Sequence, residues 1–214
     1  HPSMAALLAQ LGGGARRRLA TIAAVAAATA VTAAAVAVAL TAGGREDACT
    51  GAEAHLAGVW DAEARAAVEA AFAATDRPYA ADAFARVAAA LDERTAAWVA
   101  MRHEVCVATQ VRAEQSEALM DLRLQCLDRR LGELRALTAL FAAQPDPEVV
   151  DQAVVATMDL PSLARCADAA ALSASYPLPD DAPARAAIDA LRVRVDELAA
   201  LHRAGKYAAG MALA

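Results

Sequence analysis

Few residues in this chain could do chemistry, and they are scattered. His103 and Cys106 stand three apart, one helical turn, a spacing at which both could reach one metal ion, yet no second close pair completes a site. A packed or surface histidine is the better reading, and His55 and His202 stand alone. The run Gly12 to Gly14 lacks the lysine, the spacing and the preceding strand of a phosphate-binding loop, so it reads as a flexible hinge. Neither Gly-x-Ser-x-Gly nor His-Glu-x-x-His occurs. Carboxylates alternate with arginines in "DERTAA" and "LDRRLGEL", the pattern of a solvated helix face with weak ion pairs. Trp60 and Trp98 read as core or helix-crossing anchors, not ligand platforms. No catalytic, cofactor-binding or metal-ligating residue is therefore assigned. The remaining reactive groups are four cysteines, Cys49, Cys106, Cys126 and Cys166, whose state depends on the compartment they occupy.

The compartment is decided by "RRRLATIAAVAAATAVTAAAVAVALTAGG". Residues 19–42 are 24 positions without a charge. As a helix they reach about 36 Å, enough for a hydrocarbon core of about 30 Å. A cleaved signal has an apolar region of only about 7–15 residues. The expectation is a retained single transmembrane helix; a cleaved signal ending at "ALTAGG" and an unusually long soluble helix are the alternatives. Arg16, Arg17 and Arg18 precede the span, and positive flanks stay in the cytoplasm. This predicts a cytoplasmic N-terminus and extracytoplasmic residues 43–214. All 26 acidic residues follow the span, with 17 of the 20 basic ones, so the region after it carries a net charge of −9. Such a surface suits neither nucleic acid nor a polybasic membrane patch.

The elements that must position these residues read as all-α. Ala and Leu dominate, aromatic residues are few, and the prolines cluster at "DRPY", "QPDPE", "DLPS" and "YPLPDDAP", which are breaks between helices. One helix is predicted over about 50–74, interrupted near Gly58, with Asp61 capping its second half. A second spans about 80–112, with Phe84, Val87, Leu91, Trp98, Met101 and Val105 as its apolar stripe. A third spans about 114–142, with Met120, Leu124, Leu127, Leu131, Leu134 and Phe141 as its stripe, widened by Leu119, Leu122 and Leu137. Asp146 and Pro147 start a fourth. "LPSLARCADAAAL" is a short fifth, and "DDAPARAAIDALRVRVDELAALHRAG" a sixth.

An even cysteine count outside the cytoplasm predicts two disulfides, and four cysteines allow three pairings. In antiparallel helices, residues equally far from the turn face each other. Cys49 lies 28 residues before Arg77 and Cys106 lies 29 after it. Cys126 lies 19 before Pro145 and Cys166 lies 21 after it. Cys106 and Cys126 flank a turn near Ala113 unevenly, a mismatch of about 9 Å along the helix axes. The expected pairs are Cys49–Cys106 and Cys126–Cys166, with a break at "DLPS" able to misalign Cys166.

Three stretches carry a resemblance. "HPSMAALLAQL" is similar to the closing helix of a eukaryotic-like protein kinase domain in bacteria, where Pro-Ser-Met-x-x-Leu-Leu is common. "LAALHRAGKYAAGMALA" resembles the start of a tetratricopeptide repeat (TPR), with Gly205, Tyr207, Gly210 and Ala214 at its small and aromatic positions and Gly210 in place of the usual Ala. "VWDAEARAAVEAAFAATDRPYAADAFARVAAALDERTAAWVAMRHEVCVAT" and "LMDLRLQCLDRRLGELRAL" resemble the helical segment between span and repeats in bacterial transmembrane serine/threonine protein kinases. The resemblance implies a kinase-domain tail at 1–11, a basic juxtamembrane linker at 12–18, the transmembrane helix at 19–42, an exported helical domain at 43–178, and at 179–214 a helix pair leading into a TPR-like α-solenoid. It implies a sensor and protein-interaction region of a receptor-like kinase active in signal transduction. ATP and Mg belong to the absent kinase domain. Expected partners are the lipid bilayer and proteins or peptides, not nucleic acid, and a homodimer is compatible with the small-residue-rich span. A stand-alone exported or membrane-anchored helical scaffold is the alternative.

Overall fold

The computed structural model describes residues 22, 24–26, 28–29, 31–33, 49–143, 146–174 and 179–214. His1–Ala48 and Cys49–Ala214 form separate compact units. In the first, every described residue is helical and exposed, including Ile22, Val25 and Val31. Thr29 Oγ1 donates to the carbonyls of Val25 and Ala26, and Thr32 Oγ1 to those of Ala28 and Thr29. Among the described residues no helix is long and apolar enough to cross a membrane. Most of the span at 19–42, together with Arg16, Arg17 and Arg18, lies outside the described residues.

The second unit is all-helical in its described residues: α1 (Ala62–Ala73), α2 (Ala80–Gln110), α3 (Glu117–Ala143), α4 (Pro147–Met158), α5 (Ala169–Ser173), α6 (Ala182–Arg203) and α7 (Tyr207–Leu213), with 3₁₀ turns at Ala52–Leu56 and Leu163–Ala167. Aspartates start four of the helices by accepting backbone N–H groups that the first turn leaves unpaired. Asp61 caps α1 from Ala64 N at 2.8 Å, Asp146 caps α4, Asp168 caps α5, and Asp181 caps α6. Pro147 opens α4, where its missing N–H costs nothing. Helix α2 has no side-chain cap; instead Arg77 and Tyr79, just before it, both bond Asp151 of α4.

Helices α2 and α3 form the centre. Helix α1 packs on both, α4 packs on both from elsewhere, α6 lies along α3, and α7 folds back on α6. The core holds Val68 and Phe72 of α1, Val87, Leu91 and Trp98 of α2, and Leu127, Leu137 and Phe141 of α3. Phe72 meets Phe84 and Phe141 edge-on, with ring centroids 6.3 and 5.6 Å apart, the geometry that the ring quadrupole favours. This unit contains its own core and both of its covalent cross-links, which is what an independently folding domain requires.

The helix map differs from the sequence reading at three places. The first predicted helix is interrupted at Gly58, at φ 66, and restarts at the Asp61 cap as expected, but its first half is a 3₁₀ turn ending at Leu56. The third begins at Glu117, because Ala113 is left-handed at φ 52 and Glu114 N bonds back to Ala108 O. The fifth is divided: Asp168 is extended and caps α5, so Leu163–Ala167 remains a separate 3₁₀ turn.

Candidate functional site

The four cysteines form Cys49–Cys106 and Cys126–Cys166, each with Cα atoms 5.5 Å apart, and none is free. These are the two pairs that the helical offsets select. The offset survives although Cys49 is not in a continuous helix. From Ala80 to Cys106 the rise is about 39 Å, and α1 supplies about 18 Å of the return. The 3₁₀ turn and the turn residues between it and Asp61 supply the rest at nearly the α-helical rise per residue. The break at Pro161 is also absorbed. Arg94 Nη2 donates to Pro161 O at 2.6 Å, and Arg123 Nε donates to Cys166 O at 3.2 Å, so α2 and α3 both hold the segment in place.

With Cys106 bonded to Cys49, the His103–Cys106 spacing has no thiolate to offer a metal. Among the described residues no group of three or more His, Cys, Asp or Glu could hold a metal ion. His103 lines an open cleft of about 690 Å³ between the Ala52–Leu56 turn and α2, together with Glu53, Trp60, Asp92, Thr95 and Glu104. Its polar groups are largely engaged in structure. Asp92 accepts from Trp60 Nε1 at 2.7 Å and from Arg65 Nη1. Burial pulls the Asp92 carboxyl upward, but the bonds from Arg65 and Trp60 outweigh it and hold the group below its ordinary range. Glu104 is held low chiefly by its bond from Arg112. Both carboxylates thus have fixed arginine partners that favour the charged form. Both tryptophans are buried anchors: Trp98 Nε1 donates to Leu127 O at 2.8 Å, and Arg102 lies over its ring while pairing with Asp128.

A second concavity was not legible in the sequence. It is a groove of about 440 Å³ between α3, α6 and α7. Ala136, Ala139 and Leu140 form one wall; Val193 and Leu201 of α6 and Leu213 of α7 form the other. Arg135, Asp196 and Glu197 are the charged residues of its lining. Helix α6 lies on α3 in an unusual way. Up to Asp196 its less exposed positions, Ala184, Ile188, Arg192 and Asp196, recur every four residues and include two charges; from Leu198 to Leu201 every residue is at least half-buried. At the crossing, a Cβ on Gly132 would stand 2.7 Å from Asp196 Oδ2, so any larger residue there would have to displace the Asp196 carboxylate. Beside it Glu133 is buried, 2.9 Å from Arg130 Nη1 but without an aligned hydrogen bond at Oε2. Desolvation pushes the Glu133 and Asp196 carboxyls up and the Arg130 guanidinium down. Leu191, Val193 and Val195 are left 58%, 57% and 59% exposed on the flanks of α6, so apolar surface points outward where charge points inward. The signal for this was their spacing of two, which puts apolar residues on both sides of a helix at once.

Comparison with known protein families, with curated proteins and with solved structures finds no match for the chain.

Proposed function

We propose that this chain is the membrane anchor and extracytoplasmic sensor and protein-interaction region of a receptor-like serine/threonine protein kinase, with its N-terminus in the cytoplasm. The observation that carries the placement is the pair of disulfides in the unit that follows the uncharged span. Such bonds persist in oxidising compartments and are rare in the cytosol. A covalently closed bundle after residues 19–42, with Arg16, Arg17 and Arg18 before them, fits an anchor with positive flank inside and domain outside. Two further observations agree. The hydroxyls of Thr29 and Thr32 are satisfied by carbonyls of their own helix, the arrangement a hydroxyl needs in lipid. The apolar groove and exposed apolar flanks of α6 suit protein contact better than catalysis. The kinase activity, with its ATP and Mg, and the TPR-like continuation rest on the sequence resemblance alone.

Reporter fusions at Gly13 and Ala113 test the topology. Export-dependent activity is expected at Ala113 and absent at Gly13; the reverse pattern removes the anchor reading. Replacing Arg16, Arg17 and Arg18 with Asp is expected to mix the two orientations. Purified residues 43–214 with labelled ATP are expected to incorporate only background phosphate, and reproducible autophosphorylation would overturn the assignment of catalysis to another domain.

A further inference from the structure

We propose that a hollow between α3 and α6 binds a small aliphatic monocarboxylate, its carboxylate held by Arg129 and Arg192 and its hydrocarbon chain lying on Leu191 and Val195. The proposal rests on the reading of this region as a sensor and names the chemical class of what it senses.

Facing stripes of the two helices build the hollow. Ile188, Leu191, Arg192, Val195 and Asp196 follow one another along α6 at steps of three and one or four residues, so they share one face. Arg129 and Glu133 of α3, one turn apart, close the other side. The space between them is about 340 Å³, at the small end of ligand sites. Leu191 and Val195 are among the apolar residues that α6 leaves more than half exposed. Apolar surface thus stands directly beside fixed charge, and a short acid with a hydrocarbon chain covers both at once.

The charge balance selects an anion. Arg129, Arg130, Arg192 and Arg203 all stand close enough to Asp196 to favour its charged form, and Arg94, Arg130 and Arg203 do the same for Glu133. Five guanidinium groups therefore surround two carboxylates. Of the five, only Arg192 has a further acidic partner among the described residues, Asp189 at 3.0 Å. The surplus leaves N–H groups over: Arg130 Nε and Arg203 Nη1 are buried without a hydrogen-bond acceptor. At the hollow itself Arg129 is exposed and has neither a hydrogen bond nor an ion pair among the described residues. Arg192 keeps free N–H groups beside its contact with Asp189. A guanidinium presents its donors as a planar fork that matches a carboxylate. Glu133 and Asp196 in the lining repel a second negative charge, which favours a monocarboxylate over phosphate or a dicarboxylate. The same arginines repel an ammonium group, so an amine or a free amino acid fits less well.

The test titrates residues 49–214 with isocaproate at neutral pH and follows backbone amide resonances by NMR. Saturable shifts are expected around Arg129 on α3 and between Ile188 and Asp196 on α6. Arg129→Gln and Arg192→Gln are each expected to weaken binding about tenfold, the worth of a hydrogen bond to a charged group. Val195→Glu, which replaces the apolar wall with a like charge, is expected to abolish it. Arg129 and Val195 are exposed, so neither change removes a core contact. Acetate lacks the chain, isohexanol lacks the carboxylate and leucine adds an ammonium group; each is expected to bind at least about tenfold more weakly. Absence of saturable shifts, or shifts indifferent to both Arg129→Gln and Val195→Glu, overturns the proposal. So does acetate or leucine binding as tightly as isocaproate, because the hollow would then not read a carboxylate with its chain. A peptide ending in leucine that binds more tightly than isocaproate overturns it too, since the group recognised would be a chain terminus. The fusion experiment fails independently: isocaproate binding together with a cytoplasmic Ala113 would retain the site and remove the sensor reading.

Discussion

Trp98 shows how one side chain fixes a helix crossing. It is 2% exposed, its indole N–H donates to Leu127 O at 2.8 Å, and His55 meets its ring edge-on at 5.9 Å. Ring volume and hydrogen bond make separable contributions. Trp98→Phe keeps most of the apolar contact and removes the donor, and is expected to cost about 1 kcal/mol. Trp98→Ala also opens a cavity at the α2–α3 crossing and is expected to cost about 3–5 kcal/mol. Urea unfolding of residues 49–214 reads both. Equal losses in the two variants would mean that the hydrogen bond, not the ring, holds the crossing. That Trp98 anchors the core was legible, since it falls on the stripe running from Phe84 to Val105. Its partner carbonyl was not, because the height at which α2 meets α3 is set by the turn around Ala113.

At the scale of elements, the α6–α7 hairpin is joined to the bundle by the buried Ala200 and Ala204 and by one charge clamp. Lys206, the one lysine of the chain, sits between α6 and α7 and reaches back to the start of α4, 2.7 Å from Asp146 and 3.0 Å from Glu148. The bond from Lys206, and then the backbone N–H groups that Asp146 caps, hold the Asp146 carboxyl below its ordinary 3.8. The same carboxylates hold the Lys206 ammonium above its ordinary 10.5. A depressed acid stabilises the docked form fully above its unfolded value and loses that contribution as pH falls through the folded one. A raised base stabilises it fully below its unfolded value and loses it as pH rises through the folded one. Hydrogen-exchange protection of α6 and α7 is therefore expected to be flat between about pH 5 and 9 and to fall on both sides. Lys206→Met is expected to lower that protection at neutral pH and remove the dependence that the clamp causes; an unchanged profile would show that the clamp does not hold the hairpin. Helix starts were legible because an aspartate before an alanine-rich run has one local use. The docking of α6 was not: Gly132 and Glu133, which it meets, lie more than forty residues before it in sequence, and Leu191, Val193 and Val195 point away from the helix it rests on.

At the scale of the whole molecule, two covalent closures define the second unit. Cys49–Cys106 spans 57 residues and Cys126–Cys166 spans 40. Loop-closure entropy alone makes each worth about 4 kcal/mol, and about 2–4 kcal/mol is typical of what such bonds deliver. A domain of this kind has about 5–15 kcal/mol in total, so losing both bonds removes a large share of its stability. The two losses should differ in character. The first bond holds only a 3₁₀ turn and the residues before Asp61 against α2, a segment whose own apolar contribution is mainly Val59 and Trp60. The second holds the Leu163–Ala167 turn, where Cys166 is fully buried and Arg123 bonds its carbonyl. Replacing Cys49 and Cys106 with Ala should therefore expose residues 49–61 to exchange while α3 to α6 stay protected. Replacing Cys126 and Cys166 should leave a small cavity at the fully buried Cys166 and lower the global urea midpoint more. Reduction with dithiothreitol should match the sum of the two double variants, since the bonds lie in different parts of the bundle. A urea midpoint that does not move on reduction would show that the bonds add nothing to the fold.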